Sequence, residues 1–140
     1  MTSLGISGVP KIKRGDTFGF MNNHAQGIEL TFYREDAIKI RLRDYPEDAM
    51  VLYNVRLYGE ASGPFQPYPG VLPFGLRFGA SRDSLIQDLG PPDFEMHDGS
   101  SMRWDTAQYS VFANLSGEGT LISLAPQLPV VKTTKQALAR

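Results

Sequence analysis

The sequence predicts an α+β domain, in which an antiparallel β-sheet of two related meanders carries one short main helix packed on one face. Three observations support this class. Several runs alternate apolar and polar residues, as strands with one buried and one solvated face do. Residues 81–90 carry the start and stop signals of a short helix. Residues 61–70 contain three prolines and two glycines, and they separate the two halves of the chain.

The chain of 140 residues is long enough for one ordinary domain. Its beginning is rich in glycine and serine and then basic, so residues 1–15 are predicted to form a flexible arm. Residues 16–63 are assigned to a first β-unit, and residues 64–129 to the helix and a second β-unit. Residues 130–140 are assigned to a tail, and the whole is expected to form one compact domain.

Composition and charge exclude several classes of partner. The net charge is −1, with 14 basic and 15 acidic residues, so the basic excess typical of nucleic-acid binding is missing. No apolar run approaches the roughly 18–20 residues that span a bilayer, so no membrane partner is expected. Gly5, Gly8 and Pro10 interrupt the short apolar start, which favours a cytoplasmic location over secretion. The absence of cysteine excludes disulfides and thiolate zinc sites.

Two consecutive runs in the first half alternate with a period of two. Residues 27–36 predict a half-buried strand, and residues 37–45 repeat the pattern, so the two runs are expected to form a hairpin. The cationic side of the second run comprises Lys39, Arg41 and Arg43. We interpret it as a solvated sheet face, with contact to an acidic partner as the alternative. Residues 16–20 and 50–59 are predicted to be two further strands.

The helix in the second half has well-defined ends. Ser81 is a good N-cap, and the charge of Asp83 suits the first turn of a helix. Gly90 and the two prolines that follow it prevent the helix from continuing. A helix of about 8–10 residues is unstable alone, so we expect its apolar stripe to pack on the sheet. That stripe comprises Leu85, Ile86 and Leu89.

Three predicted strands follow the helix, at residues 102–107, 108–116 and 119–128. The turn at residues 116–119 joins the last two as a hairpin. This order of strands matches the order in the first half, starting at residue 18, which suggests two related units. The alternative is that any two antiparallel meanders look alike at this level of comparison.

A glycine, a capping serine, a short helix and a Gly-x-Pro end precede the second unit. These motif residues are Gly79, Ser81, Leu85, Leu89, Gly90 and Pro92. The pattern resembles the BamE (SmpA/OmlA) family of small outer-membrane assembly lipoproteins and the β-lactamase inhibitory proteins. It is also similar to short bacterial proteins, some of which resemble immunity partners of secreted toxins. The resemblance implies a helix–turn–strand fold that binds other proteins and has no catalytic group. This chain lacks the lipidated cysteine and the paired helices of BamE, which argues against an outer-membrane lipoprotein.

No residues in the sequence predict catalysis, a cofactor or a metal. His24 and His97 lie in polar turns, without a second histidine or a carboxylate at ligand spacing. The predicted function is therefore a non-enzymatic protein-binding module, in its most specific form an immunity or inhibitor protein that neutralises a secreted toxin domain by direct binding. The alternatives are a module that binds a small apolar ligand between sheet and helix, or a structural module.

Aromatic residues supply the candidate partner-binding site. Phe74 and two other aromatic residues crowd the proline-rich segment, and two more flank a turn near Arg103. Half-exposed Tyr, Trp and Arg side chains dominate the energy of many protein interfaces. The predicted partner-binding residues are Phe65, Tyr68, Arg103, Trp104, Asp105 and Tyr109. The alternative is that these side chains cap the sheet or pin the linker to the core. A homodimer through an edge strand at residues 27–35 is a further hypothesis.

Overall fold

The computed structural model describes residues 18–129. The predicted arm at residues 1–15 and the predicted tail at residues 130–140 lie outside the described residues. Within the described part of the chain, no helix is long and apolar enough to cross a membrane.

Seven antiparallel strands form a single sheet. The strands are β1 (Phe18–Asn23), β2 (Ile28–Arg34), β3 (Met50–Tyr58), β4 (Phe94–Glu95), β5 (Ser101–Asp105), β6 (Ser110–Leu115) and β7 (Leu121–Gln127). One α-helix, α1 (Arg82–Leu89), precedes β4. The described 3₁₀ turns are His24–Gln26, Glu35–Ala37 and Pro73–Gly75.

The strand order across the sheet is β1-β2-β3-β7-β6-β5-β4. Strands β1 to β3 form one meander and β4 to β7 form another, and the two meanders meet where β3 pairs with β7. Going outward from the centre, β3, β2 and β1 follow on one side and β7, β6 and β5 on the other, which is a mirrored order. Each half also contains one irregularity of register, after Thr31 in β2 and after Asn114 in β6. A meander sheet fits the alternating runs of the sequence.

The predicted α+β class is wrong, because the described chain is mostly antiparallel sheet and contains a single α-helix of eight residues. The proline- and glycine-rich segment explains the difference. Together with the residues that follow it, up to residue 76, it contains no α-helix, yet this stretch supplies the buried side chains of Phe65, Leu72 and Leu76. Irregular chain thus fills space that further helices would occupy in an α+β protein. The expected packing of the helix across one sheet face is not shown.

The predicted strand at residues 37–45 is also wrong. Strand β2 pairs with β1 on one side and with β3 on the other, so no place is left beside it for a hairpin partner. The segment forms an irregular connection, in which Ile38 is buried and Arg41 forms an ion pair with Glu35. The cationic residues expected on a sheet face therefore lie in a loop. The hypothesis of an edge strand at residues 27–35 fails for the same reason, because β2 is interior.

The ends of the helix are confirmed. The Ser81 side chain accepts a hydrogen bond of 3.1 Å from the backbone N–H of Ser84, as an N-cap does. At the other end Gly90 has φ 85°, which glycine adopts without strain, and its N–H donates to the Ile86 carbonyl. Leu85 is fully buried in the core, whereas Ile86 and Leu89 are partly buried against it.

Side chains alternate between two faces of the sheet, and only one face lies on the core. The inner face contributes most of the hydrophobic cluster, together with residues from the linker and the helix. Its fully buried members include Ile28, Leu30, Met102, Ala113 and Leu124. The outer face carries polar and aromatic side chains. One outer row crosses six strands through paired residues, namely Phe20, Thr31, Asn54, Gln127, Ser110 and Asp105.

Candidate functional site

Two of the predicted partner-binding residues form a buried ion pair on the outer face. The Arg103 Nε–H donates to Asp105 Oδ1 at 3.0 Å, and Ser110 Oγ donates to the same oxygen at 2.8 Å. The backbone N–H of Asp105 donates to Asp93 Oδ2 at 2.7 Å. These bonds join β5 to β6 and to the segment before β4. The arrangement holds strands together, because its charged groups are directed at each other.

Arg103 itself has little surface to offer a partner. Its guanidinium carbon lies 5.2 Å from the centroid of the Phe94 ring and 5.9 Å from that of Phe112. The residue is 4% exposed, and its Nη2 atom is buried without a hydrogen-bond partner. The two rings and the Asp105 carboxylate thus compensate a cation taken out of water. Arg103 is therefore part of the structural interior, although its residue type and position suggested a contact surface.

Trp104 lies on the opposite face of the sheet and closes the end of the helix. Because neighbouring residues of a strand alternate, Trp104 is directed into the core whereas Arg103 is directed outward. The indole Nε1–H donates to the Gly90 carbonyl at 2.8 Å, and the side chain is almost fully buried. This bond satisfies a carbonyl at the helix C-terminus and links α1 to β5.

Phe65 and Tyr68 lie at the other end of the sheet. The Phe65 ring is buried, stacks on Tyr58 at 4.4 Å and meets the edge of His24 at 4.6 Å. The Tyr68 N–H donates to the Tyr58 carbonyl, and the Tyr68 side chain packs partly against the core. These contacts match the alternative reading, in which the aromatic residues pin the linker to the sheet. The six predicted residues therefore do not form one surface.

Tyr109 is the predicted residue that combines exposure with an aromatic neighbour. It lies in the β5–β6 turn, where Thr106 Oγ1 accepts a hydrogen bond from its backbone N–H at 3.0 Å. Its ring stacks on Phe74, with 5.6 Å between centroids and 23° between planes. Tyr109 is 36% exposed and Phe74 is 41% exposed. The fold thus brings two exposed rings together from segments 35 positions apart in the sequence.

The backbone at Phe74 is unusual. Phe74 has φ 63° and ψ 16°, in the left-handed region that favours glycine. The segment is held on both sides, because Leu72 and Leu76 are buried in the core. Between these anchors the chain presents Phe74 outward and leaves Val71 90% exposed. We name Val71, Phe74 and Tyr109 the aromatic loop surface. The sequence places Phe74 in the linker but does not predict its exposed position beside Tyr109, since no local pattern predicts a positive φ at phenylalanine.

The alternative function, a module that binds an apolar ligand, requires a cavity beside the core. Leu30, Leu85, Met102 and Leu124 have no accessible surface, so no cavity the size of a water molecule adjoins them. The outer face does carry an open cleft of about 500 Å³ beside the 35–49 connection. Its lining includes Tyr33 of β2 and Tyr53 of β3, together with residues 36–40 of that connection. Burial, and then the neighbouring Tyr33, raise the pKa of Tyr53 above its usual value.

Acidic and histidine side chains were compared for their ability to form a metal or catalytic site in the described part of the chain. Among residues 18–129, no group of three or more His, Cys, Asp or Glu side chains is placed to hold a metal ion. One carboxylate contact is a bidentate pair, in which Arg82 donates to both oxygens of Glu95 at 2.6 and 2.7 Å. These hydrogen bonds lower the pKa of Glu95, and they tie the first turn of α1 to β4. The pair fastens two elements together rather than forming a catalytic site.

Comparisons of the chain with protein-family models, curated proteins and solved structures found no match. The resemblance to the BamE and β-lactamase inhibitory proteins therefore stays a prediction, based on the motif between Gly79 and Pro92.

Proposed function

We propose that the protein is a non-enzymatic module that binds another protein through the aromatic loop surface. The observation that carries this proposal is Phe74, an exposed phenylalanine held at a positive φ and stacked on a second exposed ring. The exposed Phe74 side chain does not fill the core, and it does not relieve the strain of its own backbone conformation. Binding is the role that accounts for both features.

The backbone conformation of Phe74 has an energetic cost that favours a functional explanation. A residue other than glycine in a sparsely populated φ/ψ region costs on the order of 1–3 kcal/mol. The aromatic stack with Tyr109 returns about 0.5–1.5 kcal/mol beyond area burial, so it offsets the strain only in part. Strained backbone clusters at ligand contacts because it holds a contact group ready before binding. The buried anchors Leu72 and Leu76 supply the rigidity that such readiness needs.

The chemistry of the surface favours a protein partner. Rigid aromatic side chains provide contact area at low cost in conformational entropy, which is why Tyr and Trp dominate interface energetics. The three side chains that define the surface are themselves uncharged and largely apolar. We infer a partner with an apolar pocket that receives the Phe74 ring, and a polar rim around it.

In its most specific form, the module is an immunity or inhibitor protein that acts in the cytoplasm on a toxin domain. The motif at Gly79–Pro92 supports this form by its resemblance to inhibitory and immunity proteins. Inhibition would follow from occlusion: the aromatic loop surface covers the active site of the toxin, and no cofactor takes part. The same surface would serve any other protein partner by the same contacts.

The experiment starts from the gene next to the one that encodes this chain. The C-terminal domain of the protein that this neighbouring gene encodes is expressed in cells to test for toxicity. The test is made with and without co-expression of the protein described here. The Phe74→Ala variant tests the surface, and Met96→Ala is the matched control, because Met96 is an exposed apolar residue outside it. We expect wild type and Met96→Ala to rescue growth and to form a direct complex, and Phe74→Ala to weaken the complex about 30-fold or more.

Two outcomes would contradict the proposal. Rescue that is equal for Phe74→Ala and wild type would remove the aromatic loop surface from the mechanism. Absence of toxicity, or toxicity without rescue, would remove the immunity form. In that case the aromatic loop surface is tested by binding of purified candidate partners, again with Phe74→Ala compared with Met96→Ala.

A further inference from the structure

The two edges of the sheet are built differently. The edge at β4 is two residues long, follows Pro91 and Pro92, and carries Glu95 in its ion pair with Arg82. Short length, prolines and charges are the devices by which proteins keep an edge strand from pairing with another chain. This edge is therefore protected in the ordinary way.

Within the described residues, which begin at Phe18, the edge at β1 shows none of these devices. Strand β1 is six residues long, contains no charged residue and no proline, and pairs with β2 without a register shift. Phe18 and Phe20 on its outer side are 46% and 51% exposed. The two rings meet edge to face at 5.5 Å, and Phe18 also contacts Tyr33. A strand of this kind at the edge of a sheet favours addition of a further strand.

We propose that two copies of this chain associate by antiparallel pairing of their β1 strands, with Phe20 facing Phe20 of the second copy. The charge pattern selects a second copy as the occupant. An uncharged strand meets its own copy without like-charge repulsion, and it offers no charge that would select a foreign strand. The resulting interface is isologous, with the same residues contributed by both copies.

The register follows from the alternation of faces. Residues directly opposite each other in a sheet share a face, so the outer Phe18, Phe20 and Asn22 pair only among themselves. A two-fold axis at Phe20 aligns residues 18–22 of both strands and places Phe18 opposite Asn22. An axis at Gly19 aligns only residues 18–20 of the described strand. An axis at Met21 aligns as many residues, but it places Phe20 opposite an asparagine and forms no aromatic cross-strand pair. The axis at Phe20 therefore combines long pairing with aromatic contact.

The proposed interface is small, and its size determines how dimer formation has to be measured. A strand of six residues with two aromatic side chains falls below the about 1,200–2,000 Å² of a standard stable interface, so the dimer should depend on concentration. The proposal is independent of the protein-binding function, because that function uses the aromatic loop surface and not β1. Loss of one does not imply loss of the other.

The first measurement is sedimentation velocity of the full wild-type chain from about 1 to 300 μM, a range that covers weak and transient association. We expect a shift from monomer to dimer, and we expect Phe20→Lys to remain monomeric throughout. Phe20→Glu should also be monomeric alone, whereas an equimolar mixture of the two charged variants should form a heterodimer. A wild-type chain that stays monomeric over the whole range would overturn the proposal.

Cross-linking tests the register, because the natural chain has no cysteine. A mixture of Phe18→Cys and Asn22→Cys leaves Phe20 in place and should give a disulfide-linked heterodimer under mild oxidation. Each variant alone should cross-link at least about tenfold less, since identical positions lie about 13 Å apart along the strand in this register. Val71→Cys is the control for random collision, because Val71 is highly exposed but distant in sequence from β1. Equal cross-linking of Val71→Cys and of the mixture would overturn the assignment of β1.

Discussion

Replacement of Asp105 by asparagine should destabilise the protein far more than loss of a surface ion pair. The change keeps the size of the side chain and removes its charge, while Arg103 remains 4% exposed between Phe94 and Phe112. Breaking a buried pair by removing one partner costs about 3–5 kcal/mol, because the other charge stays behind uncompensated. Ser110 still finds an acceptor in the asparagine oxygen, so we expect about 3 kcal/mol, at the lower end of that range.

A second variant separates the charge from the packing. Arg103→Met keeps an unbranched side chain between the two rings, and the double variant Arg103→Met/Asp105→Asn removes both charges together. Replacing both members of a buried pair by groups of similar shape is often close to neutral. We therefore expect the double variant to be more stable than Asp105→Asn alone, with an interaction energy of roughly 1–3 kcal/mol in the double-mutant cycle.

The assay is equilibrium unfolding in urea, followed by the fluorescence of the single tryptophan. Trp104 lies between Arg103 and Asp105 in the sequence, but its buried side chain is on the opposite face of the sheet. Its emission therefore reports unfolding without direct contact with the changed side chain. A loss below about 1 kcal/mol for Asp105→Asn is the value of an exposed ion pair. That result would refute the reasoning, because it would mean that water reaches Arg103 and compensates its charge.

Three further predictions concern the turn after β1, the pH dependence and the aromatic loop surface. Gly27→Ala should cost at least about 2 kcal/mol more than Gly63→Ala in urea unfolding: both positions have a positive φ, but only at Gly27 would the new Cβ clash with backbone atoms. Arg82 lowers the pKa of Glu95. The stabilisation by this ion pair is therefore complete above about pH 4.3, which is the ordinary pKa of a glutamate side chain in the unfolded chain. It is lost as the pH falls through the lower folded pKa, and Glu95→Gln should remove this part of the acid dependence. Phe74→Asn should change the unfolding free energy by less than about 1 kcal/mol, since strain relief and the lost stack nearly cancel, while weakening partner binding.

Much of the local structure could be predicted from the sequence. The helix was predictable because Ser81 and Gly90 act through neighbouring backbone groups, so the signal is local. The strands β2 and β3 were predictable from alternation, and the three runs after the helix, which contain β5, β6 and β7, were predicted as strands as well. The run at residues 37–45 shows the limit of that pattern. Its period of two is as clear as that of β2, but strand formation also needs a free neighbour, and both sides of β2 were taken.

The candidate site was harder to predict, because exposure is decided by contacts between distant segments. Arg103 and Tyr109 belong to the same hairpin, yet one is buried by Phe94 and Phe112 while the other is exposed. The stack of Tyr109 on Phe74 joins segments that no spacing rule connects. Residue type indicated which side chains suit an interface, but not which of them the fold would use internally.

The two proposed surfaces lie far enough apart to act together. Four inter-strand spacings separate β1 from β6, the strand that follows the Tyr109 turn, which is about 19 Å at 4.8 Å per strand. In a dimer formed through β1, nine spacings separate the two copies of β6, or about 43 Å. Such a dimer would present two aromatic loop surfaces, so a partner that carries two matching sites would gain affinity from the second contact without any new interaction. The Phe20→Lys variant separates these effects, because it removes the dimer and leaves Phe74 and Tyr109 unchanged. It should therefore keep its affinity for a monovalent partner and lose only the gain for a bivalent one.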